Sequence, residues 1–205
     1  TVLFLNKMGH LCHRQDWVEE AARQVLVHIK YLYDKQTGLL YHGWSFPLNN
    51  NFGGIFWCRG NSWFTYGILE YLDVARETLD KGVYNYVADT FKSQVNALRS
   101  LQAPSGLWHT VLTDPDSYEE TSGSAAIAAG ILKGIKIGIL DDSYKECAQK
   151  ALKGICGQVA EDGTVLGVSA GTAMGYDADH YKNIAIHPMA YGQSLTLIAL
   201  CEALD

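Results

Sequence analysis

Apolar residues recur at helical spacing along most of this chain. Val18, Ala21, Val25, Ile29 and Leu32 fall on one helical face, which predicts a helix capped by Asp16 and running to about residue 33. Phe64, Ile68, Leu72 and Ala75 repeat the spacing behind a cap at Asn61 or Ser62, and Val87, Phe91, Val95 and Leu98 repeat it over 83–101. A fourth helix is predicted from a cap at Thr121 or Ser122 to about 137, a fifth over 143–159 and a last one over 189–204. Residues 1–9 read as the tail of a helix ending at Gly9. The pattern contains no long period-two run, so these seven segments predict an all-α fold, with 1–205 as a single domain.

The fourth helix is rich in small residues: Gly123, Ala125, Ala126, Ala128, Ala129, Gly130 and Gly134. Glycines are costly in an exposed helix, but they suit one packed closely on both sides. That places it in the inner layer of a helix-inside-helix arrangement. The connections alternate between short (76–82, 138–142) and long (34–60, 103–120, 161–188). Long connections inside a compact domain usually carry function. Each opens alike, on Thr37-Gly38-Leu39, Ser105-Gly106-Leu107 and Asp162-Gly163-Thr164. A degenerate helical-hairpin repeat with its functional loops at one end fits this alternation.

Composition narrows the function. The net charge is −6 with 16 scattered basic residues, which argues against a nucleic-acid surface. No apolar run has the length of a membrane span, and residues 1–7 lack the pattern of a signal peptide. The chain starts at Thr1 rather than at a methionine, which leaves room for sequence upstream. The five cysteines, Cys12, Cys58, Cys147, Cys156 and Cys201, have no metal-type spacing and mostly read as buried thiols. That favours a reducing, cytoplasmic setting.

The strongest chemical signal is Trp57-Cys58-Arg59-Gly60-Asn61-Ser62-Trp63, preceded by Tyr41-His42-Gly43-Trp44. A guanidinium fork fits a carboxylate two-pronged, and an indole face fits the apolar face of a sugar ring. Together they suit an acidic sugar. The competing reading is a buried aromatic core from which one arginine reaches out. Elsewhere the structural readings lead. Glu119 and Glu120 adjoin a helix start and suit capping, Asp114 and Asp116 flank Pro115 in a turn, and His109 and His187 sit in long loops. His10, Cys12 and His13 lack further ligands in register, so no metal and no cofactor is expected. The glycine-containing stretch 163–175 reads as a mobile loop that closes over a substrate, with Tyr176, Asp177 and Tyr181 placed to meet a leaving sugar.

Four motifs in one order carry a resemblance: Gly38-Leu39-Leu40-Tyr41-His42-Gly43-Trp44, then Phe56 to Trp63, then Gly106-Leu107-Trp108-His109, then Glu119-Glu120-Thr121-Ser122-Gly123-Ser124-Ala125. They resemble glycoside hydrolase family 105, the unsaturated rhamnogalacturonyl hydrolases, related to the unsaturated glucuronyl hydrolases of family 88. The resemblance implies an (α/α)6 toroid, of which seven helices make an incomplete, C-terminal portion. It implies hydration of the C4–C5 double bond of the unsaturated uronyl oligosaccharides left by pectin-type lyases. An aspartate protonates C4, water adds at C5, and the hemiketal opens. It also implies a substrate-binding set of His42, Trp44, Trp57, Arg59 and Trp63, with Arg59 on the uronate carboxylate and Asn61 capping the helix. The family's catalytic aspartate would fall at or before Thr1, and Ser45 stands where the family often has aspartate. The expected partners are therefore an unsaturated uronic-acid oligosaccharide and, at the open edge of the toroid, an upstream segment, a partner chain or a second copy. No nucleic acid or membrane partner is expected. Two other readings compete: a sugar isomerase or epimerase on a similar toroid, and a non-catalytic sugar-binding or assembly subunit.

Overall fold

The structure, a computed structural model, describes residues 1–204. Its helices are α1 (Val2–Leu11), α2 (Gln15–Leu32), α3 (Cys58–Ala75), α4 (Lys81–Ser100), α5 (Thr121–Lys136), α6 (Lys145–Cys156), α7 (Ala178–Lys182) and α8 (Ala190–Leu204). A 3-10 turn, Asp142–Tyr144, leads into α6. Among the described residues, extended pairing is confined to isolated antiparallel bridges. The all-α expectation is met. The short α7, inside the third long loop, has too few residues to show a periodic signal.

Two layers follow from which faces are apolar. α2 buries Val18, Ala21, Val25 and Ile29, and α4 buries Val87, Phe91, Val95 and Leu98. α6 buries Cys147, Ala148, Ala151 and Ile155. Each is a single stripe with a polar opposite face, as an outer helix requires. α5 differs, because every residue from Thr121 to Ile131 is buried. It packs on α3 on one side, α8 on another and α6 on a third, while α1 packs on α2 and reaches α3. The inner row is thus α1, α3, α5 and α8, with α2, α4 and α6 outside it.

The small residues of α5 make this closeness possible. A Cβ on Gly130 would lie 2.6 Å from the Thr65 carbonyl oxygen of α3, and one on Gly123 would lie 2.6 Å from Cys58 Sγ. Gly130→Val should therefore force α3 and α5 apart and lower the unfolding free energy by about 1–3 kcal/mol, read from the denaturant midpoint. A midpoint equal to the parent's would mean that the seam has slack.

The three long loops do open alike. Gly38, Gly106 and Gly163 all have positive φ, at 78°, 96° and 85°, a region glycine enters without steric cost. Each turn closes with the same pair of backbone bonds: Asp34 N to Leu39 O with Gly38 N to Asp34 O, and likewise between Ala103 and Leu107 and between Ala160 and Thr164.

Helix starts depart from expectation. α2 begins after Arg14, which pairs with Asp16 in the first turn; Asp16 is not the cap. α3 begins after Trp57, three residues ahead of Asn61, and α5 is capped by Glu120 rather than Thr121 or Ser122. The thiols depart as well. Cys58 and Cys147 are buried, but Cys12, Cys156 and Cys201 are exposed.

Candidate active site

The long loops meet over the N-terminal ends of α3 and α5. Backbone bonds fasten each to the next through Cys58 N to Thr110 O, Leu112 N to Phe56 O and Thr121 N to Gly167 O, while Glu120 N to Trp108 O closes the second loop on itself. Asn61, expected as a cap, instead reads the first loop from inside α3. Its side-chain oxygen accepts the Leu40 amide and its nitrogen donates to the Leu40 carbonyl, both at 2.8 Å. Gln94 of α4 donates to that same oxygen and holds the amide in orientation. The result sets Tyr41 and His42 beside the first turn of α3.

There they border a cleft of about 420 Å³ lined by His42, Gly60, Trp63, Phe64 and the start of α1 at Thr1 and Val2. Trp63 is 52% exposed and offers its indole to the cleft. His42 packs on Trp57 with ring centroids 4.4 Å apart, and its Nδ1 lies 2.7 Å from the Tyr181 hydroxyl. Burial, and then the nearby His180 and Arg59, lower the His42 pKa to about 4, so the ring is neutral at physiological pH. Trp57 itself is 5% exposed and stands behind His42 rather than at the surface.

Arg59 is placed differently from the expectation of a carboxylate reader. Its side chain is inside the protein, with 2% of the residue exposed. Nη1 donates to the Ser169 carbonyl at 2.7 Å, to Ser169 Oγ and Ser122 Oγ, and to Glu120 at 3.3 Å; Nη2 donates to the Ala170 carbonyl at 2.6 Å. The guanidinium is sandwiched between the Trp57 and Tyr191 rings, at 4.6 and 4.7 Å. Glu120, with no exposed surface, accepts from the Gly123 and Ser169 amides and from Ser122 Oγ. Turning Arg59 toward a ligand would strand that carboxylate unpaired in the interior, which is strongly unfavourable. The geometry makes Arg59 a clamp between the start of α3, the cap of α5 and the third long loop.

Trp44 also lies away from the cleft. It packs against Tyr31 with ring centroids 5.2 Å apart, and its Nε1 is buried with no hydrogen-bond partner among the described residues. Of the five expected residues, then, His42 and Trp63 face one cleft, Trp57 supports His42, and Arg59 and Trp44 lie elsewhere. Glu120 has the capping role read for it, and His109 is held to the Ser117 carbonyl inside its own loop. Two residues carry more of the site than their sequence context signals. Glu120 partners Arg59, and Tyr181 partners His42, from a stretch with no periodicity to mark it.

Comparison with known proteins agrees with this architecture. Residues 1–205 match Glycosyl Hydrolase Family 88. The unsaturated rhamnogalacturonyl hydrolase YesR of Bacillus subtilis (strain 168) is 36% identical over 203 residues, covering 98% of this chain and 57% of that protein. A crystal structure described as a possible member of the GH105 family, from Salmonella enterica serovar Paratyphi A, superposes with a TM-score of 0.97 at 42% identity. It covers all of this chain and 54% of that one. A similarly described Klebsiella pneumoniae structure gives 0.97 at 41%, with the same coverage. The chain spans somewhat over half the length of these relatives. Its inner and outer helix rows are those of an α/α toroid, and with the match running from the first residue to the last, the chain belongs to Glycosyl Hydrolase Family 88.

Proposed function

We propose that this chain forms part of a hydrolase of unsaturated uronyl oligosaccharides, such as the products of pectin and rhamnogalacturonan lyases, working by hydration of the C4–C5 double bond in a cytoplasmic setting. The observation that carries the reading is the cleft: a neutral histidine and a half-exposed tryptophan face it together. Trp63 supplies a flat apolar wall for a sugar ring. His42 supplies a polar atom that carries no charge at neutral pH. The acid that protonates C4 is not Glu120, which is fully buried and engaged at α5. The resemblance assigns that step to an aspartate at or before Thr1. Thr1, Val2 and Leu3 line the same cleft as His42, which supports that placement. A carboxyl that first donates a proton to carbon and then assists water is well suited to this addition. A sugar isomerase would need two free histidines on one pocket; His28 also lines the cleft, but its Nδ1 is held to the Gln24 carbonyl of its own helix.

The test is incubation of the full-length protein with lyase-derived unsaturated disaccharides, following loss of the ultraviolet absorbance of the conjugated double bond; residues 1–205 by themselves, without the aspartate, should leave that absorbance in place. Loss with release of the saturated sugar is expected; absorbance that persists across pectin- and glycosaminoglycan-type substrates would overturn the reading. Within that assay, Trp63→Ala should raise KM about tenfold, because one stacking face is lost. Its unfolding midpoint should stay at the parent value, since the side chain already stands half in solvent. An unchanged KM would remove Trp63 from the sugar wall.

A further inference from the structure

The hydrogen-bond arithmetic at Tyr181 determines which way His42 faces. Tyr181 lies in α7 and is almost fully buried, with 1% of its surface exposed. Its hydroxyl accepts the Gly175 amide at 3.0 Å and lies 2.7 Å from His42 Nδ1. A phenol has one hydrogen to give. Among the described residues the acceptor within reach is His42 Nδ1, so the hydroxyl donates there. A neutral imidazole that accepts at Nδ1 carries its own hydrogen on Nε2. Among the described residues no group bonds to Nε2, and His42 borders the cleft.

We propose that Tyr181 is a positioning residue that locks His42 in the Nε2–H form, so that the cleft presents a hydrogen-bond donor, directed at a sugar oxygen, and not a base. The inference rests on the cleft being the sugar site proposed above.

The supports of Tyr181 are consistent with that task. Asp177 caps α7 by accepting the His180 amide at 2.8 Å, and Lys182 pairs with Asp114 of the second long loop at 2.8 Å. Tyr118, from the same second loop, donates to the Tyr181 carbonyl at 3.2 Å. The Arg59 clamp holds the other limb of the third long loop, which carries Tyr181, at Ser169 and Ala170. The phenol is therefore held from two hairpins besides its own. The groups around the ring act in one direction. His180 from α7 and Arg59 from α3 both oppose a positive charge on His42, and His28 stands across the cleft. Protonating Nδ1 would also turn two donors against each other at Tyr181. The ring pKa is lowered to about 4, with burial as the largest cause, so the neutral form persists as pH falls through the ordinary histidine range.

The decisive measurement is the imidazole nitrogen spectrum of the 15N-labelled protein, recorded across pH. In the parent protein His42 should show a protonated Nε2 and a bare Nδ1 from neutral pH down to its low midpoint. A protonated Nδ1 in the parent would overturn the proposal without any variant being made. Tyr181→Phe, checked for an unchanged thermal midpoint, should give mixed tautomers and a midpoint moved up toward the ordinary value. It should also lose about tenfold in kcat/KM at neutral pH. That deficit should narrow as pH falls through the variant's histidine midpoint, because the protonated ring regains a hydrogen on Nε2. A deficit constant with pH, or tautomers unchanged by the substitution, would show that Tyr181 only fills space. If no unsaturated uronide is turned over, the functional reading falls, while the parent spectrum still decides the tautomer.

Discussion

Replacing Arg59 by methionine should lower the unfolding free energy by about 3–5 kcal/mol, the cost of leaving one partner of a buried ion pair alone. Glu120 has no exposed surface, so its charge has no water to turn to when the guanidinium is gone. The Ala170 carbonyl loses its side-chain donor in the same step, and the Ser169 carbonyl keeps only the Tyr191 hydroxyl. Lysine is not a substitute, because one ammonium cannot span Glu120 and both carbonyls as a planar fork does. Arg59→Lys should thus lie between methionine and the parent. Denaturant unfolding, followed by far-ultraviolet dichroism, reads the effect. The kinetic pattern separates this role from direct substrate binding. A carboxylate reader would raise KM and leave the unfolding midpoint in place, whereas the clamp lowers the midpoint first. A loss below about 1 kcal/mol for methionine would mean that the pair is dispensable. Replacing Arg59 and Glu120 together by apolar residues of matching volume should recover much of the loss, since neither charge is then stranded.

Trp108→Ala should cost a similar amount, about 3–5 kcal/mol, for a different reason. The indole is fully buried among the helices of both layers, and its Nε1 donates to the Leu98 carbonyl at the end of α4 at 2.7 Å. Truncation leaves a cavity and removes one of the two donors to that carbonyl, which keeps the Leu101 amide. Its backbone is also tied on both sides, with its amide on Ser124 Oγ and its carbonyl under the Glu120 amide. Trp108→Phe should cost less, because most of the volume remains. An alanine variant as stable as the parent would show that the loop repacks, contrary to the close fit seen here. Trp108 belongs to one of the four motifs that carry the resemblance, yet its position makes it a strut for the loops and not a wall of the cleft.

The layers were legible because burial writes a period into the chain. The stripes of α2 and α4 and the glycine-alanine run of α5 each predict the surface they bury, and the structure agrees at Val25, Phe91 and Gly130. The helix starts were less legible because the polar side chains that resemble caps are used elsewhere. Asn61 holds the Leu40 backbone, and Ser122 bonds Glu120. The candidate site was legible in part for the same reason. His42 and Trp63 announce themselves through neighbouring aromatic residues. Arg59 announces itself too, but its meaning depends on Glu120 and Ser169, which lie far along the chain and join it only when three hairpins are assembled. Tyr181 stands alone in a polar stretch, and only the fold reveals that it faces His42.

The fastening of the long loops to one another has a consequence for how such a protein diversifies. Cys58 to Thr110, Leu112 to Phe56 and Thr121 to Gly167 are joined through main-chain atoms, which every residue other than proline supplies equally. The main-chain part of the frame is therefore indifferent to the side chains mounted on it, and the side-chain supports are few: Arg59, Asn61 and Trp108. Descendants of one ancestor can exchange the residues that face the cleft without renegotiating how the hairpins meet.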